Sequence, residues 1–463
     1  MKRAILLSAA ALSFASASAS PVSATLRYAY NERVVYVDYT LTSPAIVTFD
    51  MQTNVVSGAG TTNWVSIGFE NYHSVSGALN RLVSDVGVQQ TIRWEPFEDW
   101  PVRKVQAGTI RAVVTAWSPY NPPDYCVINI NRNDSVTPKT IQDRVRYYRS
   151  EAELPYGGLA NSMYWTTHMV MRRVHAAGQT FRMGSPWTEC QGESNYGYRI
   201  PNEEPTAVTF SRDYWMAIFP MTCRQAANAF GNSGNHSNGD KGPMTGRKWS
   251  EFRISSSNGG KVSTLTETAY DWPNNGRSHA VGDDSWFGKM KSVTGIEFDL
   301  PTEAQWEFAC RAGTTTPYND GVWDSYNFGT PVTYTNSLDK LGWYNLNSGS
   351  AVHPVMEKAP NAWGFYDMHG NVLEMCLDHY PVASGSYNMR PVGISATDYP
   401  GESTGTKSTY DSVEGYRRVV KGGKYSSEWK ACRSASRMDV CECASGNPGE
   451  NAVRPVAALG FAW

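Results

Sequence analysis

Cysteine, histidine, serine and carboxylate side chains carry most of the chemistry open to this 463-residue sequence, and each chemistry asks for its own spacing. The eight cysteines are Cys126, Cys190, Cys223, Cys310, Cys376, Cys432, Cys441 and Cys443. None forms a Cys-x-x-Cys pair, and no Cys/His grouping has zinc spacing. Cys441 and Cys443 stand too close for an ordinary bridge to each other, so each pairs elsewhere or both stay free. Cys432 has Lys430 and Arg433 beside it, and nearby cations favour a nucleophilic thiolate. The competing reading is a packed cysteine, or one bridged to Cys441 or Cys443. Ser427 as a hydrolase nucleophile would need a Ser/His/Asp constellation that the sequence order does not supply. The eight histidines form no His-x-x-x-His and no His-Glu-x-x-His pattern, and no P-loop is present. Asp367 to Glu374 is a turn-rich segment with a carboxylate at each end. Hard cations want several oxygens, many of them backbone carbonyls on irregular chain. The competing reading has Glu374 accepting only backbone hydrogen bonds.

The elements that must position these residues begin with composition. Lys and Arg number 41 against 43 Asp and Glu, so the formal charge is 41 − 43 = −2, and no general electrostatic attraction to nucleic acid or an anionic membrane is expected. With 41% hydrophobic and 18% charged residues the chain can bury a core. Forty glycines, 25 prolines, 16 tryptophans and 26 tyrosines point to a loop-rich, mostly non-helical protein of two or three domains. No apolar run is long enough to span a bilayer. Lys2 and Arg3, the apolar stretch Ala4 to Phe14, and the small-residue exits Ala15-Ser16-Ala17 and Val22-Ser23-Ala24 read as a secretory signal over residues 1–24, removed near Ala24. Export to a secreted or periplasmic location permits disulfides.

Residues 25–131 read as an antiparallel β-sandwich. Short runs rich in Val, Tyr, Ile and Thr, such as Val34 to Tyr39 and Ala45 to Asp50, recur between turn signals, and the last of them is Tyr125 to Ile130. Nothing in this module looks catalytic, so it is expected to bind, space or dock. Residues 132–163 are polar and proline-bearing and read as a linker. Residues 164–463 form a second regime dense in Gly, Trp, Asn and Pro. Thr222 to Phe230 is expected to be helical, ending before Gly231. Thr302-Glu303-Ala304-Gln305 is a capping box that opens a second helix, stopped by Gly313. Trp306, Ala309 and Cys310 share one face of it, so Cys310 is expected to be buried as a small hydrophobe.

Five segments in order carry a resemblance. They are Phe181-Arg182-Met183-Gly184-Ser185, then Asp299 to Phe308 (DLPTEAQWEF), then Pro360 to Glu374 (PNAWGFYDMHGNVLE), then Arg418 to Gly423 (RVVKGG), and the ending Gly460-Phe461. From about Tyr164 to Trp463 the chain resembles the formylglycine-generating enzyme family, also called the sulfatase-modifying factor family. The resemblance implies a mixed α+β fold with little regular secondary structure, like that of C-type lectins, often stabilised by structural Ca²⁺. Carried over to this sequence, the calcium ligands would be Asp367, Glu374 and the carbonyls of Gly370 and Val372.

In that family two cysteines follow the Gly-Gly turn and hold Cu(I) between two thiolates. The metal activates O₂, and a cysteine of a client sulfatase becomes formylglycine. Counted from Gly423, the second family cysteine falls on Cys432 and the first on Ser427. A neutral hydroxyl is a hard, weak donor and replaces a thiolate on Cu(I) poorly. Lys424 stands where the family has serine, and the closing Gly-Phe-Arg has become Gly460-Phe461-Ala462. The resemblance thus implies a secreted member with lost or altered oxidase chemistry, acting as a binding or scaffold module toward a protein, peptide or carbohydrate. The alternative is a formylglycine-generating oxidase with a sulfatase client.

Overall fold

The computed structural model describes residues 20–56, 62–67, 74–99, 107–134, 144–186, 189, 203–231, 238–253, 281–322, 332–380, 395–397, 407–410, 413–441 and 451–458. The chain divides into two compact units, residues 1–123 and 124–463.

The first unit is all-β among its described residues, apart from one helical turn at Pro96–Asp99. Its strands are β1 (Ser20–Val22), β2 (Ala24–Ala29), β3 (Val34–Thr40), β4 (Ala45–Val56), β5 (Thr62–Ser66), β6 (Val75–Gly77), β7 (Arg81–Val83), β8 (Gln89–Trp94) and β9 (Ile110–Trp117). One sheet runs β1-β9-β4-β5 with β7 also on β4, and the other runs β2-β3-β8-β6. All these pairings are antiparallel. The period-2 pattern sets which face is inside. Val35, Val37 and Tyr39 of β3 and Val47, Phe49 and Met51 of β4 are buried in one shared core, which Trp94 and Ile92 complete. Tyr36 and Asp38 point the other way and are half-buried. Strand β1 lies inside the segment expected to leave with a signal ending at Ala24.

The boundary between the units differs from the sequence expectation. Tyr125–Asn129, expected as the last strand of the first module, pairs with His168–Val174 and with Val145–Tyr148 of the second unit. Residues 132–163 are accordingly not all linker: they contribute that strand and three short 3₁₀ turns. A short continuous apolar run, Tyr125 to Ile128, fits either sheet equally well, and only the long-range partners decide.

Among its described residues the second unit is sheet-rich with few helices. Its largest sheet has six strands, in the order Val145–Tyr148, Tyr125–Asn129, His168–Val174, Tyr214–Ala217, Val456–Ala458 and Phe298–Asp299. A second sheet carries Leu373–His379 beside Val413–Lys421, antiparallel, and beside Asn451–Ala452, parallel. The helix Cys223–Phe230 is capped by Thr222 through a complete capping box and stops at Gly231 in the left-handed region. The helix Glu303–Arg311 is capped the same way by Thr302 and Gln305. It ends one residue earlier than expected, at Ala312, which itself takes φ 46°. Every residue of this helix is buried.

Candidate functional site

A helix buried on all sides must neutralise its own charges, because a lone buried ion is costly. Glu307 accepts from Arg311 Nε at 3.0 Å, from the Gly184 amide at 2.7 Å and from Lys421 Nζ at 3.1 Å. Glu303 pairs with Arg437 at 2.7 Å and with Lys421 at 3.6 Å. Arg433 lies between Glu189 at 2.6 Å and Glu203 at 2.9 Å. Of the segments quoted above, those at 299–308 and 418–423 are thus tied together by buried ion pairs, and that at 181–185 is joined to them by the hydrogen bonds of the Gly184 backbone. This frame places the strand Val413–Lys421 and the Gly-Gly turn that follows it.

Gly422 and Gly423 sit at φ 89° and 75°, a region where side chains are strained. A Cβ on Gly423 would lie 2.7 Å from Cys432 Sγ and 3.0 Å from the Ala431 carbonyl. Both glycines are therefore required by conformation, and Gly423 also by the close approach of the 429–432 turn.

Ser427 and Cys432 do not form a metal-ready pair. The Ser427 hydroxyl accepts the Lys424 amide at 3.0 Å, and its own amide donates to the Lys424 carbonyl at 2.8 Å. Its carbonyl accepts the Asn345 amide at 3.0 Å. Ser427 closes a turn. Cys432 is a free, fully buried thiol packed with Tyr318, Leu338, Leu341 and Tyr344. Burial alone pushes its pKa up to about 12. Neither neighbouring cation activates it: Arg433 is committed to the two glutamates, and Lys430 lies by the Trp429 ring and Glu428. The thiolate reading of Cys432 fails for this reason, as does the bridged one. Cys441 is disulfide-bonded, whereas Cys126, Cys310 and Cys376 are free and buried, and Cys223 is buried outside any disulfide.

Behind the turn, His369 Nδ1 donates to the Cys432 carbonyl at 2.7 Å, which leaves Nε2 to accept the Asn319 amide at 3.3 Å. Burial lowers its pKa to about 4, so the ring is neutral and structural. Cys310 is fully buried on its helix as expected, with burial pushing its pKa up to about 12.

Of the residues expected to hold calcium, Glu374, one oxygen of Asp367 and the Gly370 carbonyl are already engaged. Glu374 Oε2 accepts from Trp306 Nε1 and from Arg454 Nε, both at 2.7 Å, and Oε1 accepts Arg454 Nη2 at 2.6 Å. Asp367 Oδ2 accepts the Met356 amide at 2.9 Å. The Gly370 carbonyl accepts the Val372 amide at 2.8 Å. Among these side chains a single carboxylate oxygen, Asp367 Oδ1, is buried without a hydrogen-bond partner. A hard cation needs six to eight oxygens, and this donor set does not fit one. No grouping of three or more His, Cys, Asp or Glu suited to a metal occurs among the described residues. Arg454 is the residue that sequence reasoning missed. Ala462, where the family has arginine, lies outside the described residues.

Above the turn, two loops are pinned to each other. The Ser348 hydroxyl donates to the Tyr425 carbonyl at 2.8 Å, and the Tyr425 amide donates to the Asn371 carbonyl at 2.9 Å. Trp343 stacks on His353 with centroids 3.7 Å apart and planes at 9°, and Lys358 Nζ lies 3.8 Å from the indole centroid. Leu346 is 65% exposed at the crest of this loop. The arrangement brings aromatic, cationic and apolar side chains together on two hydrogen-bonded loops.

Residues 166–449 match the sulfatase-modifying factor enzyme 1-like domain, more than half of the chain. Serine/threonine-protein kinase pkn1 of Chlamydia caviae is 26% identical over 237 residues, 51% of this chain and 32% of the kinase. Formylglycine-generating enzyme of Thermomonospora curvata is 28% identical over 162 residues, 32% of this chain and 45% of that enzyme. The chain thus spans less than half the length of these relatives. Among solved structures, PvdO from Pseudomonas aeruginosa is similar at TM-score 0.41 and 18% identity, over 63% of this chain and 95% of that one. By its matched domain, this chain belongs to the sulfatase-modifying factor family.

Proposed function

We propose that this chain is an exported binding or scaffold protein, a member of its family in which copper oxidase chemistry has given way to recognition of a protein, peptide or carbohydrate. One observation carries the reading. Where the oxidase chemistry needs two accessible thiolates, the structure has a serine that closes its own turn and a cysteine that is buried and protonated. Linear Cu(I) coordination requires a soft donor on each side of the ion, and Ser427 supplies none. The pinned loops at 343–348 and 424–428 support a binding face, because ordered aromatic and aliphatic groups give contact area at small entropic cost. Structural calcium, expected from the resemblance, has no such support at the 367–374 loop.

The test measures Cu(I) affinity by competition with a colorimetric chelator, and aldehyde formation on a Cys-x-Pro-x-Arg peptide under O₂. The expected result is no turnover and no copper held against the chelator. Stoichiometric copper together with aldehyde product would establish the oxidase alternative, with a sulfatase as client. Ser427→Cys is expected to gain no linear copper site, because Cys432 stays packed beneath the turn.

Export itself is open to intact-mass measurement of the secreted or periplasmic protein. Cleavage near Ala24 would remove β1, which pairs with β9 from Ser20 to Val22. The exit at Ala17 keeps that strand, and is the mass expected.

A further inference from the structure

We propose that Arg454 is the built-in cation of the Asp367–Glu374 loop, taking both carboxylate oxygens of Glu374 that a divalent ion would need, so that the second unit keeps its shape without calcium. The inference stands apart from the binding reading and does not need it.

The geometry is that of a metal site filled by a side chain. Arg454 is fully buried, and so is Glu374. The guanidinium meets both carboxylate oxygens of Glu374 as a fork, at 2.7 and 2.6 Å. It also donates to the Ala217 carbonyl at 3.1 Å and the Tyr366 carbonyl at 2.8 Å. Two carboxylate and two carbonyl oxygens are the donor types that hard cations collect from irregular chain. Asp367, buried beside Glu374 in the same loop, feels the positive charge of Arg454 as well.

An added Ca²⁺ could reach Glu374 only by expelling a guanidinium whose ion pair among the described residues is with Glu374 itself, which leaves two positive charges in one buried space. The tie also does what a freely exchanging ion cannot. Arg454 belongs to the segment that runs from Asn451–Ala452, parallel to Leu373–Glu374, into Val456–Ala458 of the six-stranded sheet. One side chain thereby links both sheets to the strand end at Ala217 and to the loop at Tyr366. Only a covalently attached cation fixes the chain's last described segment while it neutralises the loop.

The experiment compares melting of the full chain in excess EDTA and in excess CaCl₂, and titrates the protein with CaCl₂ by calorimetry. The expected result is melting temperatures that agree within about a degree and no site of defined stoichiometry. Arg454→Met strands Glu374 without its partner, and the transition of the second unit should fall by on the order of 10 °C. The double variant with Glu374→Gln removes the stranded charge and should melt higher than Arg454→Met alone. A wild-type melt that drops on chelation, recovers with Ca²⁺ and loses this dependence in Glu374→Gln would overturn the proposal. So would an Arg454→Met protein that melts like wild type. If Arg454→Met yields no folded protein, the chelation comparison on wild type decides by itself.

Discussion

Chemical labelling of Cys432 gives the most direct test of how its site is built. The perturbation is alkylation with iodoacetamide, on the native chain and on the same chain in guanidinium. Two effects slow the native reaction, and their sizes can be separated. Burial moves the thiol from 9.0 to about 12, so at a given pH below 9 the thiolate fraction falls about a thousandfold. The higher basicity makes the remaining thiolate more nucleophilic, which returns roughly 1 to 1.5 decades. Ionisation alone therefore slows the reaction by only about 50-fold. Access supplies the larger factor. The sulfur lies under Tyr318, Leu338, Leu341 and Tyr344 and against Gly423. An opening that costs about 4 kcal/mol adds about three decades. The native rate should thus lie at least about a thousandfold below the unfolded rate. Peptide mass spectrometry reads each cysteine separately, and Cys126, Cys310 and Cys376, buried in the same way, serve as internal references. If Cys432 is alkylated in the native protein within tenfold of its unfolded rate while those three stay protected, the packed-thiol account is refuted.

Lys421→Met leaves Glu303 and Glu307 with Arg437 and Arg311 but removes the cation between them. A loss of about 3 kcal/mol is expected in denaturant unfolding of the second unit, and a change below about 1 kcal/mol would show that the arginines suffice. Gly423→Ala forces a methyl against Cys432 Sγ and the Ala431 carbonyl in a left-handed backbone, so it should cost about 2 kcal/mol or more, whereas Gly349→Ala, with open space around it, should cost less. His175 is held by Asp124 at 2.7 Å and lies near Asp213, and the hydrogen bond to Asp124 is the main reason its pKa rises to about 9. Its folded pKa lies above the unfolded 6.5, so its stabilising contribution is complete below pH 6.5 and lost as pH rises through 9. Its ring resonances should titrate near 9, and His175→Asn should flatten the stability profile between those values. A midpoint near 6.5 would refute the clamp.

Local signals in the sequence reported local structure well, because both partners of each hydrogen bond lie within a turn. The capping box at Thr302–Gln305 is of this kind, and so is the Gly231 stop. The apolar face of 303–311 likewise revealed the burial of Cys310. Residue type alone settled that position 427 carries oxygen in place of sulfur. The fate of every charge and of every ambiguous strand was decided only by the fold. Tyr125–Asn129, apolar without a break up to Ile128, suits either unit until its neighbours at 145–148 and 168–174 are known. Arg433 reads as an activating cation beside Cys432 until Glu189 and Glu203, more than two hundred residues away in the chain, are seen to hold it. Glu374 reads as a calcium ligand until Arg454, 80 residues on, arrives at both its oxygens. Coulomb attraction and desolvation depend on distance and burial in space, and neither quantity is written in the order of residues.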